Sequence, residues 1–325
     1  MLARFVSLAG RAAVVLAIAA SQSLGQSYPN KPIRIISPHP PGSAPDIVVR
    51  AAAQELLPRL GQPMVIEPRP GAGGVIAGES CSKAAPDGYT LCLIQVGIMS
   101  FNPHTYSNLP YDPEKDFRPV TRLFFLVQAL MASAALPAES FKDLEREAAA
   151  RPGALNFGTL GPGSQPDVFR QFLADRWKTN IVGVPYKGAI NIAQALAAGE
   201  LQLGVIGIGS AAGALRGGKV RLLAISSLKR YRLFPNIPVF SELGLADAIN
   251  VPWWGIAVPA GTADAVVGRL NSEFVRLFRE PKFNEVLDNN YCEPATGTPE
   301  EFAAFLKADR EQAGGFVKRY NIPRH

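Results

Sequence analysis

Histidine is scarce here, with three in 325 residues, and so is cysteine, again with three. Those shortages remove most metal and nucleophile chemistry. No His-Glu-x-x-His pair, paired-cysteine motif or calcium loop occurs, so no metal is expected. His39, His104 and His325 are accompanied by no Gly-x-Ser-x-Gly elbow, which leaves an exported hydrolase as the weaker of the alternatives. His39 is expected to be satisfied within the fold or to face solvent, with contact to a ligand carboxylate as the other reading. Cys81, Cys92 and Cys292 are odd in number, so at least one thiol stays unpaired. Buried, inert cysteines are expected, and a Cys81–Cys92 bridge is open to an oxidising compartment. Runs of five or six basic residues are also lacking, which excludes nucleic acid as a partner. After residue 25 no apolar run approaches the roughly 20 residues of a membrane span, so no stable membrane insertion is expected.

What is present begins with an export signal over residues 1–25: Arg4 and Arg11 precede and flank an apolar run over 12–20, and small residues near Gly25 offer cleavage before Gln26. No cysteine follows that site, so a free periplasmic protein, a monomer, is expected. About 300 residues remain, enough for two domains with separate cores. Removing Arg4 and Arg11 lowers the formal charge from +6 to +4, a modest surplus that favours encounters with small anions.

Short β-branched runs alternating with helical patterns predict an α/β fold of two lobes. In the first lobe, strands are expected over 33–37, 64–67 and 91–94, with helices over 46–60 and 76–85. The Pro-rich passage 103–119 is expected to wrap the surface, and 123–131 to form one buried strand where the chain crosses over. The pattern then restarts with strands over 155–159, 181–184, 201–206 and 220–226 and helices over 164–177 and 189–198. The apolar run 253–258 returns the chain to the first lobe. There Val266, Leu270, Phe274 and Phe278 form one helical stripe, and a last helix covers 299–320. The lobes are therefore residues 26–128 plus 254–325, and 129–253. Two crossings imply a hinge that closes around a ligand.

Three strand-to-helix turns carry the chemistry. The first, Ser37-Pro38-His39-Pro40-Pro41-Gly42-Ser43-Ala44-Pro45-Asp46, offers helix-start amides to an anion. Asp46 is either the N-cap of that helix or a ligand contact, or both. The second, Gly158-Thr159-Leu160-Gly161-Pro162-Gly163-Ser164, repeats the arrangement, with Ser164 placed to cap its helix. Its Gly-x-Gly-x-x-Gly reading fails at Pro166, so no dinucleotide is expected. The third, Val184-Pro185-Tyr186-Lys187-Gly188-Ala189, presents the amides of Gly188 and Ala189, with Lys187 as a solvated charge. The phosphate-loop spacing Gly213-x-x-x-x-Gly218-Lys219 continues into Val220 and a strand, so it is accidental and no cofactor is expected. Facing helix N-termini suit a ligand with two carboxylates. Candidate binding residues are Gly42, Ser43, Asp46, Thr159, Gly161, Gly163, Ser164, Gly188 and Ala189, with Gln95 added at a strand end. Trp253 and Trp254 line the cleft or pack at the hinge, with packing expected for at least one.

Several runs together resemble one family: Tyr28-Pro29-Asn30-Lys31-Pro32-Ile33-Arg34, Pro40-Pro41-Gly42-x-x-x-Asp46, Glu67-Pro68-Arg69-Pro70-Gly71-Ala72-Gly73-Gly74 and Pro86-Asp87-Gly88-Tyr89-Thr90-Leu91. Leu109-Pro110-Tyr111-Asp112-Pro113, Asp116-Phe117, Val184-Pro185-Tyr186-Lys187-Gly188, Trp254-Gly255 and Pro259-Ala260-Gly261-Thr262 continue the match in order. The chain is similar in these to the Bug family, receptors of tripartite tricarboxylate transporters. The resemblance implies a type II periplasmic-binding-protein fold, a small carboxylate ligand held by backbone amides and waters, and transient contact with membrane transporter subunits. A receptor serving a sensor without a transporter would need the same cleft. The chain departs from the family pattern at Ser43, Asp167, Gln202 and Ile206, which bears on the choice of ligand.

Overall fold

The structure is a computed structural model that describes residues 28–245, 248 and 251–324; the expected export segment lies outside them. Two sheets organise the chain. The first is built from β1 (Ile33–Ser37), β2 (Met64–Pro68), β3 (Thr90–Gln95), β4 (Phe117–Leu126), β10 (Trp253–Pro259) and β11 (Cys292–Pro294), in the order β11-β4-β10-β3-β1-β2. The second holds β5 (Gln128–Ser133), β6 (Asn156–Thr159), β7 (Val182–Pro185), β8 (Leu203–Gly207) and β9 (Val220–Ser226), in the order β7-β6-β8-β5-β9.

The two sheets follow one plan. In each, three parallel strands, β2-β1-β3 or β7-β6-β8, are followed by a strand that has just arrived from the other lobe and pairs antiparallel: β10 on β3, and β5 on β8. Helices cover both faces of each sheet, which is why the central strands read as continuous apolar runs. On the first sheet, α1 (Ala44–Leu60), α8 (Asp264–Phe278) and α9 (Pro281–Asn289) bury Val48, Leu56, Leu270 and Phe274 on one face. The opposite face packs α2 (Val75–Ser82) and the N-terminal half of α10 (Pro299–Arg319), through Ala77, Phe302 and Leu306. The second sheet carries α4 (Phe141–Ala150) and α5 (Gln165–Trp177) on one face and α6 (Ala189–Ala198) and α7 (Ile208–Arg216) on the other.

Local chemistry accounts for the boundaries. Thr298 Oγ accepts from the Glu301 amide at 3.1 Å while Glu301 Oε2 accepts from the Thr298 amide at 2.8 Å, a reciprocal cap that starts α10. Gly255 leaves β10 bare where the Phe302 ring presses on it. The buried stripe of α8 is Val267, Leu270, Phe274, Leu277 and Phe278, and Val266, half-buried, packs against the same core.

Some expectations are corrected. The single strand expected over 123–131 is two, because the chain bends at Val127, whose amide donates to Tyr291 O and whose carbonyl accepts from the Ile208 amide. One residue thus bonds to both lobes and forms the pivot. The Pro-rich passage contains a helical turn, α3 (Asn102–Thr105), and the beginning of β4. The helix α7 was not expected at all. Its start, Ile208-Gly209-Ser210, follows a strand ending in Gly207, and glycines hid the period. Cys81 and Cys92 are bridged, with Cα atoms 5.9 Å apart, which overturns the expectation of inert thiols for that pair. Cys292 is free and buried, and burial pushes its thiol pKa up. Both tryptophans pack. Trp253 donates to Asp309 Oδ2 at 2.8 Å, and Trp254 stacks on Phe124.

The bridge joins α2 to β3 across 11 residues of sequence. A loop of that length constrains the unfolded chain by about 3 kcal/mol. Reduction, or a Cys81→Ala/Cys92→Ala double variant, should lower the melting temperature by roughly 6–12 °C at about 2–4 °C per kcal/mol, as read by circular dichroism.

Candidate functional site

The carboxyl ends of the parallel strands face the space between the lobes, and the turns after β1 and β6 share the pattern Gly-Ser-x-Pro-Asp. Gly42-Ser43-Ala44-Pro45-Asp46 starts α1 and Gly163-Ser164-Gln165-Pro166-Asp167 starts α5. The bonding repeats as closely as the letters. Asp46 Oδ2 accepts from the Gly42 amide at 2.9 Å, and Asp167 Oδ2 accepts from the Gly163 amide at 3.0 Å. Both carboxylates are buried and both are neutralised from their own helix, Asp46 by Arg50 Nε at 2.9 Å and Asp167 by Arg170 Nε at 2.9 Å. Gln171 adds a bond of 3.0 Å to Asp167. The glycines need no Cβ, because their φ values of 83° and 73° lie in the left-handed region.

This arrangement corrects the expected caps. Asp46 is the third residue of α1, three places beyond the N-cap Ser43, and its carboxylate is turned back into the turn. Ser43 and Ser164 occupy the N-cap positions but cap nothing: Ser43 Oγ donates to Pro40 O at 3.0 Å and Ser164 Oγ to Gly161 O at 2.7 Å. The first amides of a helix have no partner inside it. With serine and aspartate both engaged in holding the turn, neither side chain caps the amides that follow. Gly188, the N-cap of α6, also provides no side-chain cap.

A cleft of about 980 Å³ lies between the lobes. Residues 42–45, Ile47, Leu126 and residues 288–291 line it from the first lobe, and residues 188–191, Gly207, Gly209, Ser210, Ala212, Arg216 and Leu233 from the second. Of the residues expected from sequence, Gly42, Ser43, Gly188 and Ala189 are brought together here. Thr159, Gly161, Gly163 and Ser164 lie beside it: β6 and β7 are neighbours, and the Tyr186 amide donates to Thr159 O at 2.8 Å, so the second and third turns leave the sheet side by side. Thr159 is itself buried. Gln95 is inside the first lobe, where its Oε1 accepts from the Gly97 amide at 2.5 Å. Lys187 is exposed and does not line the cleft. Asp167 and Gln202, two of the departures from the family pattern, are spent internally; Gln202 Oε1 accepts from the Asn156 amide at 3.1 Å.

Sequence reasoning missed Ile47, Ile190, Asn191, the α7 face and residues 288–291. The repeated Gly-Ser-x-Pro-Asp was visible as a signal, since it identifies the two pinned turns by letters alone. The contribution of α9 and α7 had no such signal, because it depends on how the lobes meet.

His39, beside the first turn, is satisfied. Its Nε2 accepts from Trp254 Nε1 at 2.6 Å. Burial lowers its pKa to about 4, against a smaller opposing pull from Asp46, so the ring is neutral at physiological pH.

Fold and cleft together define a two-lobed solute-binding protein. The family model described as "Tripartite tricarboxylate transporter family receptor" matches residues 48–322. Protein BugT of Bordetella pertussis is 30% identical over 320 residues, 97% of this chain and 94% of BugT. A solved R. palustris protein with adipate superposes with a TM-score of 0.79 at 27% identity, covering 92% of this chain and all of that one. MatC from Rhodopseudomonas palustris with bound malate gives 0.71 at 28% identity, covering 89% of this chain and all of MatC. The chain belongs to the tripartite tricarboxylate transporter receptor family.

Two predictions follow from the geometry. Asp46→Ala and Asp167→Ala should each cost about 1–3 kcal/mol, the cost of leaving a buried donor unpaired, as measured by urea unfolding. His39 binds its proton less readily in the fold than in the unfolded chain, where the pKa is near 6.5. Its contribution is therefore complete above pH 6.5 and is lost as pH falls towards 4, by at most about 3 kcal/mol. A His39→Gln variant should show a flatter stability profile than wild type across that window.

Proposed function

We infer that the chain is an exported, periplasmic receptor for a small carboxylate, and that the lobes formed by residues 26–128 with 254–325 and by 129–253 close over it. The observation that carries this reading is the pair of uncapped helix starts, α1 and α6, which open from opposite lobes onto one cleft. Such starts attract anions through their amides and dipole. Two of them across a closing gap match an acid with a charge at each end, and the solved relatives with adipate and malate carry acids of that kind. The second turn, with Thr159, Gly161, Gly163 and Ser164, adds contacts from beside the third. Family membership supports delivery to transporter subunits, which would recognise the closed monomer, and the export signal read in residues 1–25 supports the location.

A catalytic role is disfavoured by the state of His39. Its ring nitrogen is occupied by Trp254 and its basicity is low, so it is a poor general base. Binding, closure and release are the whole of the chemistry.

Thermal melting against mono-, di- and tricarboxylates tests the reading. Ligand at a thousand times its Kd adds about 4 kcal/mol, or roughly 8 °C or more at about 2–4 °C per kcal/mol. Neutral sugars should give no shift, and a protein freed of co-purified ligand that responds to no acid would refute the assignment. Gly188→Leu is the matched variant. Gly188 has an extended φ of −176° and only Asn191 Oδ1 near its missing Cβ, at 3.7 Å. Leucine there should leave the fold within about 1 kcal/mol, the usual cost at a cap, yet reduce affinity at least tenfold by filling the cleft. Gly163 is the poorer choice, because a side chain there is strained and meets Ile322 at 3.0 Å.

A further inference from the structure

The cleft that faces these amides is walled by exposed aliphatic side chains. Ile47 is 42% exposed, Ile190 63% and Leu233 39%, and all three line the same cavity. A single exposed aliphatic residue is ordinary on a protein surface. Three around one cavity, contributed by both lobes, form an apolar patch of the kind that marks a binding site. Their placement is also specific. Ile47 lies in the first turn of α1 and Ile190 in the first turn of α6, so an acid group at either helix start has its adjoining atoms against an isoleucine. Behind them Gly207, Gly209 and Ala212 contribute little side-chain bulk, which leaves width for a ligand body.

Charge is sparse by comparison. Arg216 and Asp288 are the charged residues among those lining the cleft. Asp288 is held in an ion pair by Arg232, whereas Arg216 forms no ion pair among the described residues. One available cation and two sets of amides are enough for a mono- or dicarboxylate. Ser43, Asn191, Ser210, Asn289 and Asn290 also line the cleft, so any selection against hydroxyls falls to the aliphatic wall of Ile47, Ile190 and Leu233.

We propose that the ligand is a carboxylate carried on a hydrocarbon body, a medium-chain aliphatic or an aromatic acid, and that Ile47, Ile190 and Leu233 select it over hydroxylated di- and tricarboxylates. The selection deepens the carboxylate-receptor reading and rests on it. Closing the lobes removes these side chains from water together with the ligand body, and each methylene so buried tightens binding by about fourfold. A hydroxyl pressed against the same side chains loses its water without gaining a partner, which weakens binding about tenfold or more.

Isothermal titration with straight-chain dicarboxylates of four, six and eight carbons, hexanoate, octanoate, benzoate, malate and citrate tests the selection. Affinity should rise about fourfold per methylene until the cleft is filled, and malate should bind at least tenfold more weakly than succinate. In Ile190→Asn and Ile47→Asn, both at exposed positions, the dependence on chain length should flatten. Malate or citrate binding more tightly than every unsubstituted acid would overturn the selection and leave the receptor reading standing. So would a chain-length dependence that both variants leave intact. Failure of all the acids, polar ones included, would bring down both.

Discussion

Each lobe buries a carboxylate at the start of a helix and turns it away from that helix, and the site depends on this arrangement. An acid in the first turn of a helix is ordinarily available to the nearby amides or to solvent. Asp46 and Asp167 instead accept from the glycine amide two residues before their own helix begins, and an arginine from the helix neutralises each of them. Burial of a charge is tolerable only with such partners. The consequence is a turn clamped from within, so that the helix amides stay uncapped without the loop being loose. Donors held in a rigid turn are ordered in advance, which lowers the entropy cost of binding in general.

The clamps sit on strands that converge because the chain crosses between lobes. The crossing strand in each sheet pairs antiparallel next to the third parallel strand, and segments following β1, β7 and β8 line the same gap. Val127 joins the lobes with one backbone bond to each side, and α10 spans both, with Phe302 and Leu306 in the first core and Phe316 in the second. Near the hinge, Ser227 Oγ donates to Glu293 Oε2 at 2.5 Å, and Arg232 pairs with Asp288. These contacts tie the lobes together at their shared edge.

Much of the fold could be read before any coordinates. The strands β1, β2, β3, β6, β7, β8 and β9 and the helices α1, α5, α6, α8 and α10 all fall where periodicity puts them, because two-sided burial of a parallel sheet forces apolar strands and one-sided burial forces helical stripes. What escaped has separate causes. The helix α7 is rich in glycine and alanine, so its buried face is built from residues that carry little hydrophobic signal. The break at Val127 lies inside a continuous apolar run, and no residue there marks the bend. The Cys81–Cys92 bridge could be named as a possibility from sequence, but its formation needed Cα atoms at a bonding distance.

By itself the sequence determined the class of molecule: two α/β lobes, three glycine-bearing strand-to-helix turns, and a family pattern spread over residues 28–262. These properties are local or additive along the chain, so residue order is sufficient to express them. Tertiary structure alone decided what each site residue does. It buried Asp46, tied Gln95 to the Gly97 amide, assigned His39 to Trp254, and set Ile47 against Ile190 across a gap that their separation of more than a hundred positions in the chain conceals. Facing, burial and partnership are relations between distant segments, and packing of the two lobes is what fixes them.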